Sequence, residues 1–140
     1  MNVNDMARIH AAAFVYDRPW SADEFSGLLA LPHVRPFSQP HGFALVSVIA
    51  PDQAELLTLA VDPAHQRGGL GLRLMQNWMT ALPVQSAFLE VASDNEPAIA
   101  LYRRCGFAVC GTRRGYYRRA GGGRVDALAM RTSLTKGQFG

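Results

Sequence analysis

The segment "LLTLAVDPAHQRGGLGLRLM", residues 56–75, decides the fold of this chain. Its first residues read as a strand, and a polar, glycine-rich turn then leads into apolar residues that recur every four positions from Leu70 to Leu82, which predicts a helix. Backbone N–H groups at such a junction can hold a phosphate group with the help of the helix dipole, and glycine lets the backbone approach that anion. Taken alone, so short a pattern is more commonly a glycine-rich helix cap without a ligand.

The glycine turn differs from two familiar phosphate-binding loops. A Walker A loop needs a lysine directly after its last glycine, and here Gly71 is followed by leucine. The Rossmann fingerprint would need glycine at the position of Leu74. The strand before the turn is also the second half of a predicted hairpin and does not open a βαβ unit. Residues 66–71 instead have the form Q/R-x-x-G-x-G.

Capping and turn residues delimit the other elements. Ser21 and Glu24 form a capping box, while Asn95 and Gly106 mark the two ends of a later helix. The predicted elements are, in chain order, a helix over 4–14, a helix from Ser21 to Pro32, a short strand near Val34–Phe37, strands over 42–50 and 54–62, a helix from about Leu70, a strand over 86–92, a helix over 95–105, and a final hairpin of 107–117 with 124–134.

These elements predict one α/β domain over residues 1–140, with a mixed, mostly antiparallel sheet and flanking helices. Only three residues precede the first helix, so the first strand of such a fold is expected to be short or absent. Residues from about 135 to 140 are predicted to form a flexible tail.

The composition indicates a single globular domain. The chain has 140 residues, 49% of them hydrophobic and 18% charged, which is enough to bury a core without disulfides or metals. No apolar run is long enough to span a membrane and no secretory signal is visible, so a cytoplasmic location is expected. Cys105 and Cys110 lack the spacing of a zinc site and are expected to be buried thiols, and the four histidines likewise show no metal-ligand spacing.

The late part of the chain is rich in arginine. The formal net charge is +3, and seven of the arginines fall within residues 103–124. Arginine binds phosphate and carboxylate groups through two parallel hydrogen bonds, so this region could face an anionic ligand, an acidic peptide or RNA. A solvated arginine face explains the cluster equally well.

The segment "LEVASDNEPAIALYRRCGF", residues 89–107, places an acid in a strand and a phenol in the helix that follows. Glu90 shares a strand face with Phe88, and Tyr102 lies near the end of the helix. Taken alone, Glu90 is more readily a strand-edge carboxylate paired with an arginine, Tyr102 a core aromatic residue, and Asn95 only a helix cap.

Together with the element order, these segments resemble the GNAT family of acyl-CoA N-acyltransferases. Residues 56–75 resemble motif A of that family, and residues 89–107 resemble its second half. "RRGYY" followed by "DALAM", and "RPWSADEF" near the start, resemble its RimI-type branch. The likeness runs from about Arg18 to Leu134 and is more specific than any one motif.

The resemblance implies acetyl-CoA as the co-substrate and no metal. In the family, the strand before the turn offers backbone groups to the pantetheine arm, and the amides of the turn bind the pyrophosphate. The corresponding residues are Leu59, Ala60 and Val61 for pantetheine, Arg67, Gly68, Gly69, Leu70, Gly71 and Leu72 for pyrophosphate, and Asn95 for a further cofactor contact. The chain departs from the branch at Leu72, where a basic residue is common, and has Arg73 one place later.

The resemblance also implies an acid–base pair. In RimI-type enzymes a glutamate at the position of Glu90 is the general base, and a tyrosine at the position of Tyr102 is the general acid. The chemistry fits, because an ammonium group must lose a proton before it attacks a thioester, and an O–H donor stabilises the leaving thiolate. Carboxylates ordinarily titrate near about 4.3, so a carboxylate base at neutral pH benefits from an environment that raises its pKa. Direct transfer requires only that both substrates are held together.

The implied acceptor is the N-terminal alanine of a small-subunit ribosomal protein. Trp20, Tyr116 and Tyr117 would flank the acceptor groove, although ordinary packing explains all three as well. Another protein N-terminus, a lysine or a small amine stays open as the acceptor, because such loops set specificity and a family likeness transfers it poorly. A non-catalytic acyl-CoA-binding module is the alternative from another class. We expect no membrane or direct nucleic-acid partner, and a monomer or weak homodimer.

Overall fold

The computed structural model describes residues 1–14, 18–119 and 121–134. Its elements are, in chain order, α1 (Val3–Ala13), α2 (Ala22–Leu29), β1 (Val34–Gln39), β2 (Gly42–Ala50), β3 (Gln53–Val61), a 3₁₀ segment (Pro63–Gly68), α3 (Leu70–Ala81), β4 (Ser86–Ala92), α4 (Glu96–Arg104), β5 (Ala108–Arg118) and β6 (Arg124–Ser133). The predicted order is confirmed, and no strand precedes α1 among the described residues. The predicted tail at 135–140 lies outside them.

Local sequence signals set the helix ends. The Ser21 hydroxyl accepts a hydrogen bond from the Glu24 N–H at 3.1 Å, which completes the predicted capping box. α1 begins with a similar box at Asn2. Asn95 caps α4, and Gly106, with a φ of 93°, follows the end of that helix. The Asn2, Ser21 and Asn95 side chains satisfy N–H groups that have no partner inside the helix, and the Gly106 N–H donates to the Arg103 carbonyl at the end of α4.

The six strands form one sheet in the order β1-β2-β3-β4-β6-β5. All neighbouring pairs are antiparallel except β3 and β4, which run parallel over Gln53–Leu56 and Ser86–Leu89. β3 continues to Val61 and β4 to Ala92, with no further pairing between these two strands in the part of the chain that the structure describes. The two strands therefore diverge, and the sheet has an opening at their C-terminal ends.

Helices cover both faces of the sheet. α1 and α2 pack on one face, where Ile9 and Phe25 meet Phe43 of β2. α3 and α4 pack on the other, with Trp78 fully buried. Adjacent residues of β2 alternate between the two apolar clusters, as a pleated strand requires. The predicted apolar stripe of α3 is buried at all four of its positions, Leu70, Leu74, Trp78 and Leu82.

The expectation of two buried cysteines is wrong. Cys110 is exposed and Cys105 is only half-buried. Cys110 lies on β5, an outer strand of the sheet, beside a register irregularity between Val109 and Gly111. Residues 108–110 of β5 are all exposed, so side chains on both faces of the strand point away from the core there. Among the described helices, none combines the length and the apolarity needed to cross a bilayer.

Candidate active site

The turn before α3 presents backbone donors to an outside acceptor. Gly69 has a φ of 75°, ends the 3₁₀ segment and stands at the cap position of α3. Glycine adopts this left-handed conformation without the cost that a side chain adds. Gly69 supplies no side-chain cap, so the first-turn N–H groups of Leu70, Gly71 and Leu72 point out of the helix toward its positive end. That arrangement suits an anion such as a pyrophosphate.

Hydrogen bonds and close packing hold this turn against the end of β3. The Gln66 side-chain amide donates to the Val61 carbonyl at 3.1 Å, and the Arg73 guanidinium donates to the Gly68 carbonyl at 3.2 Å. A Cβ atom at Gly71 would lie 3.2 Å from the Leu101 side chain of α4, so the helix start approaches α4 closely. The turn is therefore tied to the same end of β3 at which the sheet opens.

Glu90 lies at the mouth of the opening. It is the first residue of β4 after the last parallel pair, and its side chain is 25% exposed. Its Oε2 atom is buried and accepts no hydrogen bond from the described residues. The Nε atom of Arg113 lies 3.0 Å from that oxygen, which is an ion-pair distance. The direction of the N–H bond does not make it a hydrogen bond, so Oε2 retains capacity for another donor.

A second carboxyl group, Glu55, lies beside Glu90. Glu55 is opposite Phe88 in the parallel pairing, and Glu90 lies two residues further along β4 on the same face of that strand. Burial raises the pKa of Glu55, the negative charge of Glu90 raises it further, and Arg113 opposes the shift. Two carboxyl groups and one guanidinium therefore share this site. Glu55 was not predicted from the sequence as a site residue. Like Glu90, it is a carboxylate within an otherwise apolar strand, and that pattern could have indicated it.

Tyr102 lies inside the cluster that α3 and α4 form with the sheet. Its side chain is buried, and its ring meets Phe107 edge-on at 6.2 Å. Burial raises the pKa of Tyr102, and Cys105 and Tyr117 add to the shift. The phenol therefore remains protonated at neutral pH.

An irregular stretch of β5 places Tyr116 beside Arg113 and Tyr117. The residues from Arg114 to Tyr116 stand opposite the single residue Asp126 of β6, and the Asp126 carboxylate accepts the Gly115 N–H at 2.9 Å. This bulge turns Tyr116 so that its ring lies 5.2 Å from the Arg113 guanidinium and 5.1 Å from the Tyr117 ring. Arg113 of this strand pairs with Glu90, and Tyr117 adds to the raised pKa of Tyr102.

Comparison with known proteins decides the family. The model of the acetyltransferase (GNAT) family matches residues 7–107. The chain belongs to the GNAT family. The N-alpha-acetyltransferase RimI of Mycobacterium tuberculosis is 38% identical over 133 residues, which cover 89% of this chain and 82% of the relative. The [ribosomal protein bS18]-alanine N-acetyltransferase of Escherichia coli is 42% identical over 91 residues, which cover 63% of this chain and 60% of the relative.

Solved structures agree with this GNAT assignment. The crystal structure of the ribosomal-protein-S18-alanine N-acetyltransferase from Escherichia coli has a TM-score of 0.84 and 32% identity, covering 94% of this chain and 87% of that one. Arabidopsis thaliana NAA60 in complex with acetyl-CoA has a TM-score of 0.77 at 19% identity, a likeness of fold alone. The predicted family and fold are confirmed, and the chain is an acetyl-CoA-dependent N-acetyltransferase.

Two residues assigned to the GNAT site carry clear structural roles. The Asn95 side chain accepts the Ala98 N–H at 3.3 Å and so caps α4. The backbone N–H of Trp20 donates to Nδ1 of His10 at 3.2 Å, and the two rings stack with centroids 5.0 Å apart. These contacts fix Trp20 in the α1–α2 layer, whereas Tyr116 lies on the β5–β6 hairpin. The roles of Asn95 and Trp20 toward ligands stay predictions.

The fold also brings together residues of this GNAT enzyme that are distant in sequence. The side-chain ligand atoms of His41, Asp62 and His65 lie within 4.8 Å of one another. The spacing of Asp62 and His65 matches one turn of the 3₁₀ segment, but His41 joins them only because β2 pairs with β3. Sequence spacing alone therefore did not indicate this cluster.

Proposed function

We propose that this enzyme transfers the acetyl group of acetyl-CoA to the N-terminal α-amine of a protein in the cytoplasm. The proposed acceptor is the N-terminal alanine of a small-subunit ribosomal protein. The names of the relatives from Mycobacterium tuberculosis and Escherichia coli support this acceptor class. The observation that carries the proposal is the buried, undonated Oε2 of Glu90 at the opening of the sheet.

Acetyl-CoA supplies the activated thioester. The N–H groups of residues Arg67–Leu72 bind its pyrophosphate, because they meet at the positive end of α3. The backbone of Leu59, Ala60 and Val61 lines the part of β3 that does not pair with β4, and its free edge contacts the pantetheine amides. Asn95 adds a contact from the start of α4. Leu72 stands where a basic residue is common, but this substitution does not affect the proposed pyrophosphate contacts, because backbone N–H groups make them.

Glu90 prepares the amine. Its undonated oxygen accepts a proton from the acceptor ammonium, either directly or through a water molecule. The amine nitrogen then attacks the thioester carbonyl carbon, the C–N bond forms, and the nitrogen releases its second proton to solvent water as the amide forms. Glu55 adds a second carboxyl group beside Glu90, and burial together with the Glu90 charge raises the pKa of Glu55. Arg113 limits the mutual repulsion of the two groups.

Tyr102 completes the reaction. The C–S bond breaks as the tetrahedral intermediate collapses, and the phenol of Tyr102 gives its proton to the departing CoA thiolate. The burial of the ring keeps the donor neutral and fixed in position. Tyr116 and Tyr117 form one wall of the acceptor groove, where aromatic surfaces can grip the first residues of a peptide. Trp20 is proposed to form part of the opposite wall.

The proposal is tested by thiol release from acetyl-CoA with a peptide that copies the mature N-terminus of the ribosomal protein. Three further acceptors serve as comparisons: the same peptide with its α-amine blocked and an internal lysine added, a peptide with a different first residue, and spermidine. Turnover with the alanine peptide alone is the expected result. Turnover only with the lysine peptide or with spermidine would replace the acceptor class. Tight CoA binding without turnover on any acceptor would indicate a non-catalytic acyl-CoA-binding module.

A further inference from the structure

Three side chains with metal-binding atoms meet where the β1–β2 turn lies against the start of the 3₁₀ segment. They are His41 in the turn, Asp62 directly after β3, and His65 within the 3₁₀ segment. The Asp62 N–H donates to the His41 carbonyl at 2.8 Å, and the His65 N–H donates to the Asp62 carbonyl at 2.8 Å. Two backbone hydrogen bonds therefore hold all three residues at fixed separations.

The two imidazole rings are stacked face to face. Their centroids are 3.6 Å apart and their planes differ by 4°. Because the nitrogen lone pairs lie in the ring planes, the rings must rotate before both can bind one ion. Both side chains are exposed, and the χ2 torsion of histidine has a broad energy minimum, so this rotation costs little free energy. Tetrahedral ligands at zinc-bond lengths are about 3.3 Å apart, and the separation here of at most 4.8 Å requires only side-chain movement.

We propose that His41, Asp62 and His65 form a binding site for a divalent transition-metal ion, with Zn²⁺ as the representative. Two imidazoles and one carboxylate are a donor set that Zn²⁺ accepts, and the exposed position leaves room for water as the fourth ligand. Imidazole nitrogen favours the late first-row ions over Mg²⁺ and Ca²⁺, which prefer oxygen ligands.

Arg8 competes for the same carboxylate. One Asp62 oxygen accepts the Ala64 N–H at 3.1 Å, and the other lies 3.8 Å from a guanidinium nitrogen of Arg8. Arg8 also lies 3.7 Å from Asp5, so it has a second carboxylate to pair with when an ion occupies Asp62. The cation repels a divalent ion from its present position, and its removal should therefore tighten metal binding.

The site would join two separate parts of the chain. His41 belongs to the turn between two strands, while His65 stands just before Gly68 and Gly69. A bound ion would tie the 3₁₀ segment to the β1–β2 turn and reduce the conformational freedom of both. Because binding to the folded state alone shifts the unfolding equilibrium, Zn²⁺ should raise the melting temperature of the parent protein.

The test is calorimetric titration of tag-free full-length chain with Zn²⁺, together with the visible absorption spectrum after Co²⁺ addition. The expected result is one ion per chain and Co²⁺ bands of a site with four or five ligands. His65→Ala and His41→Gly should each weaken Zn²⁺ binding at least about tenfold, since even indirect partners of a metal are worth about that much. His41→Gly is expected to fold normally, because residue 41 has a φ of 74° that glycine adopts more readily.

Two matched variants sharpen the test. His33→Ala removes an exposed histidine outside the cluster and should leave Zn²⁺ affinity unchanged, whereas Arg8→Gln should raise it severalfold. Mg²⁺ should give no binding heat. Equal Zn²⁺ affinity in the parent, His41→Gly and His65→Ala proteins would overturn the proposal, as would a loss of affinity in His33→Ala as large as theirs. Absence of Zn²⁺ binding to the parent would also overturn it.

Discussion

Acidification should destabilise the chain through His10. This residue is 3% exposed, and its ring stacks on Phe14 at 4.4 Å as well as on Trp20. Burial lowers the pKa of the His10 imidazole from 6.5 to about 4; Arg18 adds to this effect, while Glu24 opposes it. His10 is therefore neutral in the folded protein at neutral pH, and its Nδ1 can accept the Trp20 N–H. Protonation would remove that acceptor and bury a charge.

The sign and size of this pH effect on stability follow from the pKa of His10 in the unfolded state, 6.5, and in the folded state, about 4. The unfolded state binds the proton more tightly, so stability is complete above pH 6.5 and falls as the pH drops toward 4. One proton gives a slope of at most about 1.4 kcal/mol per pH unit, and a gap of about 2.5 units corresponds to a total of about 3 kcal/mol. A loss of that size is a large fraction of the 5–15 kcal/mol that stabilises a typical domain, about a third at the middle of that range.

The assay is urea unfolding at closely spaced pH values for the parent and for His10→Gln. Glutamine can still accept a hydrogen bond but does not titrate. Carboxylates titrate in both proteins, so the difference between the two curves isolates His10. The stability difference between the parent and His10→Gln should shrink steadily as the pH falls from 6.5 to about 4. The stability of His33→Gln, an exposed control, should follow that of the parent. If the parent and His10→Gln curves stay parallel throughout, His10 does not titrate differently in the folded and unfolded states.

Four further outcomes concern the catalytic site and the phosphate turn. Glu90→Gln should lower kcat by about 100- to 10,000-fold and flatten the rise of rate with pH, measured by thiol release. Tyr102→Phe should lower kcat with little change in CoA affinity by calorimetry; equal rates in both variants and the parent would refute the acid–base assignment. Glu55→Gln should raise stability at neutral pH in urea unfolding, because a carboxyl group whose pKa is raised on folding becomes destabilising as the pH rises; an unchanged or lower stability would contradict this. Gly69→Ala should cost about 1–2 kcal/mol of stability through its left-handed backbone, whereas Gly68→Ala, equally free of contacts, should be nearly neutral; similar losses in the two would contradict the backbone argument.

Local signals made most of the fold predictable. The capping box at Ser21, the spacing of apolar residues in α3 and the glycine after α4 each act within one or two turns, so the sequence states them directly. β1 was underestimated because Arg35, Pro36 and Ser38 interrupt its apolar pattern. An outer strand tolerates such residues, since proline there need not donate to a neighbour.

The candidate site was predictable only where one motif held its residues together. Glu90 and Tyr102 stand in one segment, and the resemblance assigned both. Glu55 and Arg113 approach Glu90 through pairings with β4 and β6 that the sequence does not specify. Cys110 was misjudged for the same reason, because its burial depends on what lies beyond β5 and not on its own hydrophobicity.

The single parallel contact in the sheet has a mechanical consequence. β1, β2 and β3 form one continuous antiparallel block, and β4, β6 and β5 form another. In the described part of the chain, four residue pairs join the two blocks along a seam. Among the described strands, the seam carries fewer ladder pairs than any other junction in the sheet. Glu55 lies on the seam, and Glu90 lies one residue beyond its end. A ligand that bridges the two blocks acts as a clamp, so substrate binding should slow hydrogen exchange most strongly along the seam. The proposed catalytic base therefore lies next to the junction of the sheet with the fewest ladder pairs.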